Sequence, residues 1–285
     1  MAVAQYVNIN GHNIHINIIG EGEPIIFLHG GPGSEHRFFL PHVLPLAKKY
    51  QLVLYDQRGC GKSDSILGNN YSIEEEVNTL ESLRKLLQFE KINIFGESWG
   101  SMLALCYASA YPKRVSKLFL TAAIGVNQKG LKTFEKELLK RITLKDKIKL
   151  LKTDREVKKG TASVDKVLAI LDPYYVFSKH SLQNNEKTSM NQTVNYTIVE
   201  DIENNYDLSE DLDRLAEIPI LVAQGSHDIL PPTIIEKLFI NYLPHTRLHT
   251  IENCGHWTII EKSNEINMLA EDFFSGTEGQ ESCPS

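Results

Sequence analysis

Gly96-Glu97-Ser98-Trp99-Gly100 lies where an apolar run, Ile92 to Phe95, gives way to a helical pattern. A serine between two glycines on such a turn projects its hydroxyl from the carboxyl edge of a sheet, at the amino end of a helix. The chemistry on offer is nucleophilic attack on a carbonyl. The simpler role, a helix-capping serine flanked by packing glycines, needs no partners. Attack needs a base to take the hydroxyl proton and a carboxylate to orient that base.

The chain has ten histidines. His256, in Asn253-Cys254-Gly255-His256-Trp257, follows the last apolar run and enters the final helical pattern, at the same sheet edge as Ser98. His227 is the rival, but it adjoins Asp228 in Gly225-Ser226-His227-Asp228, and neighbouring side chains in a loop point different ways. Asp228 follows the run Ile218 to Ala223, whereas Ala122 to Asn127, after the preceding run, contains no acid. An Asp in such a loop also serves as a turn former. The chain order Ser98, Asp228, His256 is the one expected of the α/β-hydrolase fold.

A carbonyl under attack gathers negative charge, which fixed backbone amides stabilise. His29-Gly30-Gly31-Pro32-Gly33 follows the run Ile25 to Leu28 and supplies a glycine-rich turn. The amides of Gly31 and of Trp99, the residue after the nucleophile, are the expected oxyanion pair. A phosphate cradle is the competing role for these glycines, but Pro32 lacks an N–H and no Lys-Ser/Thr follows.

These residues need a sheet to bring them together. Val7, Ile9, Ile14, Ile16 and Ile18 alternate with polar residues around Asn10-Gly11, a hairpin signal. Short apolar runs recur at Pro24–Leu28, Leu52–Tyr55, Ile92–Phe95, Lys117–Leu120, Ile218–Val222 and Arg247–Ile251, and continuous runs mean burial on both faces. Helical patterns lie between them at Ile73–Leu87, Ser98–Tyr111, Thr233–Tyr242 and Trp257–Phe274. The expected architecture is a mostly parallel eight-stranded sheet with helices on both faces, the α/β-hydrolase fold. Residues 1–125 and 216–274 form its core. Residues 126–215, where the alternation stops, form an inserted helical cap, lysine-rich over Lys129–Lys159 and acidic over Glu200–Glu217. Residues 275–285 form a mobile tail.

His29-Gly30-Gly31-Pro32-Gly33, Asp56-Gln57-Arg58-Gly59-Cys60-Gly61-Lys62-Ser63 and Gly96-Glu97-Ser98-Trp99-Gly100-Ser101 together resemble the proline iminopeptidase (prolyl aminopeptidase) family of α/β-hydrolases. The resemblance spans roughly Val7–Gly125 and Ala216–Phe274. It implies release of an amino-terminal residue, typically proline, from short peptides, without a cofactor or metal, and with cap carboxylates holding the free amino group. Ile202-Glu203-Asn204-Asn205-Tyr206 is similar to the cap segment that carries the amino-binding glutamate in some members, so Glu203 is the candidate ammonium ligand. Glu200, three residues away, shares its helical face. A solvated acidic face is the plainer role for both. Glu97 stands where the family more often has Gly, and Trp257 where it has a small residue. Both departures bear on substrate preference. The Asp56–Ser63 loop braces the site, with Arg58 and Cys60 in a packed turn.

The 285 residues are 42% hydrophobic and 23% charged, which excludes a disordered chain. A net charge of -6 gives no overall basic field, so neither nucleic acid nor an anionic membrane is an expected partner unless a basic surface is local. Neither a signal peptide nor a spanning segment is legible, and four scattered cysteines fit a reduced, cytoplasmic protein. The substrate expected is a short peptide or a small acyl compound. Two other functions use the same motifs: a carboxylesterase or lactonase with an apolar acyl pocket, and a ligand receptor on a hydrolase fold. Dehalogenase and epoxide-hydrolase chemistry would need Asp at position 98.

Overall fold

The structure, a computed structural model, describes residues 2–66, 68, 70–184 and 188–276. Strands β1 (Ala2–Ile9) and β2 (His12–Ile19) form the hairpin, with Ile9 opposite His12. Asn10 and Gly11 between them both have positive φ, +52° and +86°, which matches the twist of a two-residue turn. The remaining strands are β3 (Glu23–Leu28), β4 (Tyr50–Tyr55), β5 (Ile92–Glu97), β6 (Val115–Thr121), β7 (Ile220–Gly225) and β8 (Arg247–Ile251). They form one eight-stranded sheet in the order β1-β2-β4-β3-β5-β6-β7-β8. The β1–β2 and β2–β4 pairs are antiparallel and the rest parallel.

Alternation along a strand sends successive side chains to opposite faces, so a run apolar at every position feeds two cores. Ile26, Leu28, Val53, Ile94, Leu118 and Val222 face one core, while Ile25, Phe27, Leu52, Phe95, Phe119 and Leu221 face the other. On the second face Phe27, Phe95 and Phe119 stack across three adjacent strands, with centroids 5.1 and 4.9 Å apart. Helix α1 (Ile73–Leu86) starts on Ser72, whose side chain accepts the Glu75 N–H, and α2 (Trp99–Ala110) is buried almost all round. β8 departs from the expectation of two buried faces. It is the outer strand, and Arg247 and His249 are exposed.

Between β6 and β7 come α3 (Lys129–Arg141), α4 (Leu144–Lys158), α5 (Asp165–Leu171) and α6 (Gln192–Asn205), joined by turns and short 3-10 segments. After β7, α7 (Pro232–Ile235) runs into a π-helical turn over Glu236–Ile240. The single helix expected over Trp257–Phe274 is two, α8 (Thr258–Glu261) and α9 (Ser263–Ser275), divided at Lys262. The Glu261 carboxylate is held by the N–H groups of Gly255, Phe177 and Ser178, at 2.7, 2.9 and 2.8 Å, and the chain turns away beyond it. Of the expected tail, Ser275 belongs to α9 and Gly276 caps it at φ +70°, while positions 277–285 lie outside the described residues.

Glu76, on α1, is 1% exposed, and burial pushes its carboxyl up to about 8 against the partial opposition of Arg58. The folded protein thus holds a proton that the unfolded chain releases near 4.5, so stability is full below that value and declines as pH rises toward 8. Glu76→Gln should remove the decline. Its melting temperature is expected to match the parent's near pH 4.5 and to exceed it by about 5 °C at pH 8, read by scanning calorimetry at both values.

Candidate active site

The last residue of β5 is Glu97 and the first of α2 is Trp99, so Ser98 is the whole turn, at φ +52° and ψ -114°. A non-glycine residue with these angles is strained, and the surroundings hold it there. The Ser98 N–H donates to Thr121 O at 3.0 Å on the neighbouring strand. The flanking glycines are required by contact. A Cβ on Gly96 would come within 2.6 Å of Gly100 O, and one on Gly100 would overlap Leu28 O.

His256 and Asp228 come from the loops after β8 and β7, the two strands at the end of the sheet. His256 Nε2 lies 2.9 Å from Ser98 Oγ, and Nδ1 lies 3.0 Å from both Asp228 oxygens. Asp228 is fully buried and His256 is 2% exposed. Burial alone would push the imidazole down, but the Asp228 charge and hydrogen bond, with Glu97 adding to them, carry it above its ordinary value. The three side chains expected from the sequence therefore meet. The rival His227 does not join them: its ring bonds Ser226 Oγ at 2.9 Å and packs against Phe177.

Two features of this setting, Tyr175 and Arg141, had no sequence signal, Gln57 was marked only through its loop, and Glu97 had a faint signal of its own. Tyr175, between α5 and α6, gives its carbonyl to the His256 N–H at 2.7 Å, and its ring and that of Phe134 flank the imidazole at 5.5 and 5.0 Å. Arg141, ending α3, donates to the carbonyls of His227, at 2.8 Å, and Asp228. Gln57 ties the two glycine-rich turns together: its Oε1 accepts the Trp99 indole N–H at 2.8 Å and its Nε2 donates to His29 O at 3.1 Å. The brace expected of the Asp56–Ser63 loop is thus Gln57. Arg58 pairs with Glu75 at 3.1 Å and Cys60 is buried. The faint signal was Glu97, visible as a departure from a family pattern. It is 3% exposed, its carboxyl fills the space where a Gly30 Cβ would be, and burial pushes it up to about 7.

Gly31, at φ +45°, and Trp99 stand on the two turns that Gln57 links. The amino end of α6 covers the first turn. The Asn191 N–H donates to Gly33 O at 2.7 Å, Asn195 Nδ2 to Pro32 O at 2.9 Å, and Ser189 gives N–H and hydroxyl bonds to Glu35 Oε1 at 2.7 and 2.9 Å. Glu200 and Glu203 are not brought to the triad. Helix α6 buries Val194, Ile198 and Ile202, which leaves both glutamates exposed on another side, and Glu203 lies near Glu135 of α3. Asp172, half-buried beside Tyr175, is a cap carboxylate near the site, raised by burial to about 6. His15, His36 and Asp56 form a buried cluster with ligand atoms within 4.8 Å of one another, but the Asp56 oxygens already accept from His36 N–H and Nδ1 and from Lys62 N–H.

The model of the alpha/beta hydrolase fold matches residues 23–263. The chain belongs to that family. Among curated relatives of this hydrolase is the proline iminopeptidase of Lactobacillus crispatus (strain ST1), 29% identical, with the match covering 91% of this chain and 94% of the relative. Another is the cis-3-alkyl-4-alkyloxetan-2-one decarboxylase of Shewanella oneidensis, 25% identical over 96% of this chain and 88% of the relative. The crystal structure of proline iminopeptidase from Mycobacterium smegmatis superposes with a TM-score of 0.73 at 20% identity, covering 96% of this hydrolase and 98% of that chain, a likeness of fold. The resemblance read from the three motifs thus extends over most of the chain.

Two measurements test the site. Ser98→Ala should lower turnover by about 10⁴-fold or more with an unchanged melt, and Asp228→Asn should cost nearly as much without adding to it, because the three groups act as a unit. Glu97→Gln removes a negative charge that favours the imidazolium, so the acid limb of the kcat/KM profile, which follows His256, should move to lower pH. An unmoved limb would separate Glu97 from the base.

Proposed function

We propose that this hydrolase is a cytoplasmic serine hydrolase that releases an amino-terminal residue, proline or another small apolar one, from short peptides through an acyl-enzyme. The observation that carries the chemistry is the continuous chain Asp228, His256, Ser98 at a strained turn on the carboxyl edge of the sheet. The substrate class rests on the motif resemblance and the iminopeptidase relatives.

Ser98 Oγ attacks the scissile carbonyl carbon as His256 Nε2 takes its proton, and Asp228 stabilises the imidazolium. The oxyanion is met by the Gly31 and Trp99 amides. The C–N bond then breaks and His256 passes its proton to the leaving amine. Water, deprotonated by His256, attacks the acyl ester and returns Ser98 to its starting state. The base works only when neutral, so activity falls as pH drops through the His256 value. The free ammonium of the substrate is held by a cap carboxylate, with Glu203 and Glu200 as the sequence candidates and Asp172 as the one nearer the base.

A second function, hydrolysis of a small ester or lactone, has its own support. Phe134 and Tyr175 flank His256, Met190 approaches Gly31, and one relative is named for an oxetanone, a cyclic ester. Aminoacyl arylamides with free and acetylated amino groups, assayed beside short aryl esters, separate the two. For an aminopeptidase, acetylation should cost about tenfold to one hundredfold in kcat/KM, the value of a charge-assisted hydrogen bond. Equal cleavage of both forms would hand the assignment to the esterase. Loss of the acetylation penalty in Glu203→Gln or Glu200→Gln keeps the ammonium on α6, and a penalty unchanged in both moves it to Asp172.

A further inference from the structure

The cap carries a charge that the net value conceals. Between Lys129 and Lys159 there are twelve Lys and Arg against five Asp and Glu, a surplus of seven positive charges in a chain of net charge -6. Helix α4 lies within this stretch and none of its residues is buried. Leu144, Ile148 and Leu151 are 76, 61 and 63% exposed. Their spacing, i, i+4 and i+7, puts them on one stripe of the helix. Lys145 and Lys152 border that stripe and are exposed, Lys152 with Glu156 3.9 Å away, while Lys149, further round the helix, is paired with Asp146 at 2.9 Å. An apolar stripe with lysine along its margin is not a solvated surface helix, whose outward face is polar, nor a core helix, whose apolar face is covered.

We propose that α4 is an interfacial helix by which this hydrolase sits on an anionic lipid bilayer, with Leu144, Ile148 and Leu151 between the lipid chains and the flanking lysines at the headgroups. The charge selects the occupant. A second copy docked by the same face would bring basic margin against basic margin, and a nucleic acid would leave the leucine stripe without a partner. An anionic bilayer satisfies both parts, because apolar insertion and lysine attraction to acidic headgroups add together. No helix of the described residues is long and apolar enough to cross a membrane, so the association lies on the surface.

The docked face is joined to the site by short steps. The Tyr174 hydroxyl donates to Asp146 of α4 at 2.7 Å and accepts the Thr143 N–H at 3.1 Å, and the next residue, Tyr175, bonds and flanks His256. A cavity of about 320 Å³ opens beside them, lined by Lys149, Tyr174 and Lys179 among others. The bilayer would therefore lie against the cap, on the side from which small apolar acyl compounds partition.

The test uses the full chain and sedimentation with vesicles of phosphatidylglycerol mixed with phosphatidylcholine, against phosphatidylcholine alone. Binding is expected only with phosphatidylglycerol, and should fall about tenfold or more in roughly 0.5 M salt, where the screening length drops to a few ångströms. The triple variant Leu144→Ser, Ile148→Ser, Leu151→Ser should lose about tenfold or more of that binding while keeping the parent melt and turnover of a soluble aryl ester. Lys145→Gln with Lys152→Gln should weaken binding without touching either control. Failure to sediment with phosphatidylglycerol, equal binding to phosphatidylcholine, or unaltered binding by the triple variant would each overturn the proposal. So would a concentration-dependent dimer that the triple variant abolishes, which would assign the stripe to a second copy.

Discussion

Ser98 is held in a conformation it would not choose. At φ +52° it is one of five non-glycine residues with positive φ among the described residues, and the rest of the site is arranged around keeping it there. The strain is carried by the sheet: β5 is paired on both sides, and the Ser98 N–H is fixed to β6. A parallel strand buried on both faces is rigid along its length, so the hydroxyl at its end is placed by the whole core. Gly96 and Gly100 then permit the helix to leave at once, which sets Ser98 at the α2 amino end, where the helix dipole favours negative charge.

The electrostatics follow from the same burial. Asp228, His256 and Glu97 share one buried space: the Asp228 charge raises both of the others, Glu97 raises His256 further, and His256 draws Glu97 back down. Glu97 is the unusual member. Its carboxyl lies against Gly30, so its protonation changes the field at His256 and at Gly31, the glycine proposed for the oxyanion. A carboxyl that titrates near neutrality in such a position makes the site sensitive to pH through a group outside the triad.

Most of the frame was legible because it depends on local pattern. The hairpin declared itself in Asn10-Gly11, and each buried strand in an unbroken apolar run. The triad was legible because loops at one sheet edge converge whatever the rest of the chain does. What escaped were interactions made by backbone groups or across long separations. The carbonyl of Tyr175 that holds His256 has no side-chain signature. The break at Lys262 depends on Glu261 reaching Phe177 and Ser178, more than eighty residues earlier in the chain. β8 departs from expectation for a simpler reason: an apolar run does not say whether a strand has neighbours on both sides. Glu200 and Glu203 have the spacing of a shared face, but spacing cannot say which way that face turns, and Val194, Ile198 and Ile202 took the buried side.

The carbonyl of Tyr175 has a consequence for how this molecule can change over evolutionary time. Inserts between β6 and β7 are commonly pictured as interchangeable covers laid on a finished catalytic core. Here the core is unfinished without its insert, because the peptide N–H of the base is satisfied only from the insert side, and Glu261 pins the same crossing a few ångströms away. A replacement segment would have to deliver a carbonyl to that point in space, and one that moved away would free the peptide N–H groups of His256 and Trp257 while Asp228 kept its hold on the imidazole. The insert and the His256 loop are thus tied as one unit, and a change in either has to preserve the crossing that joins them.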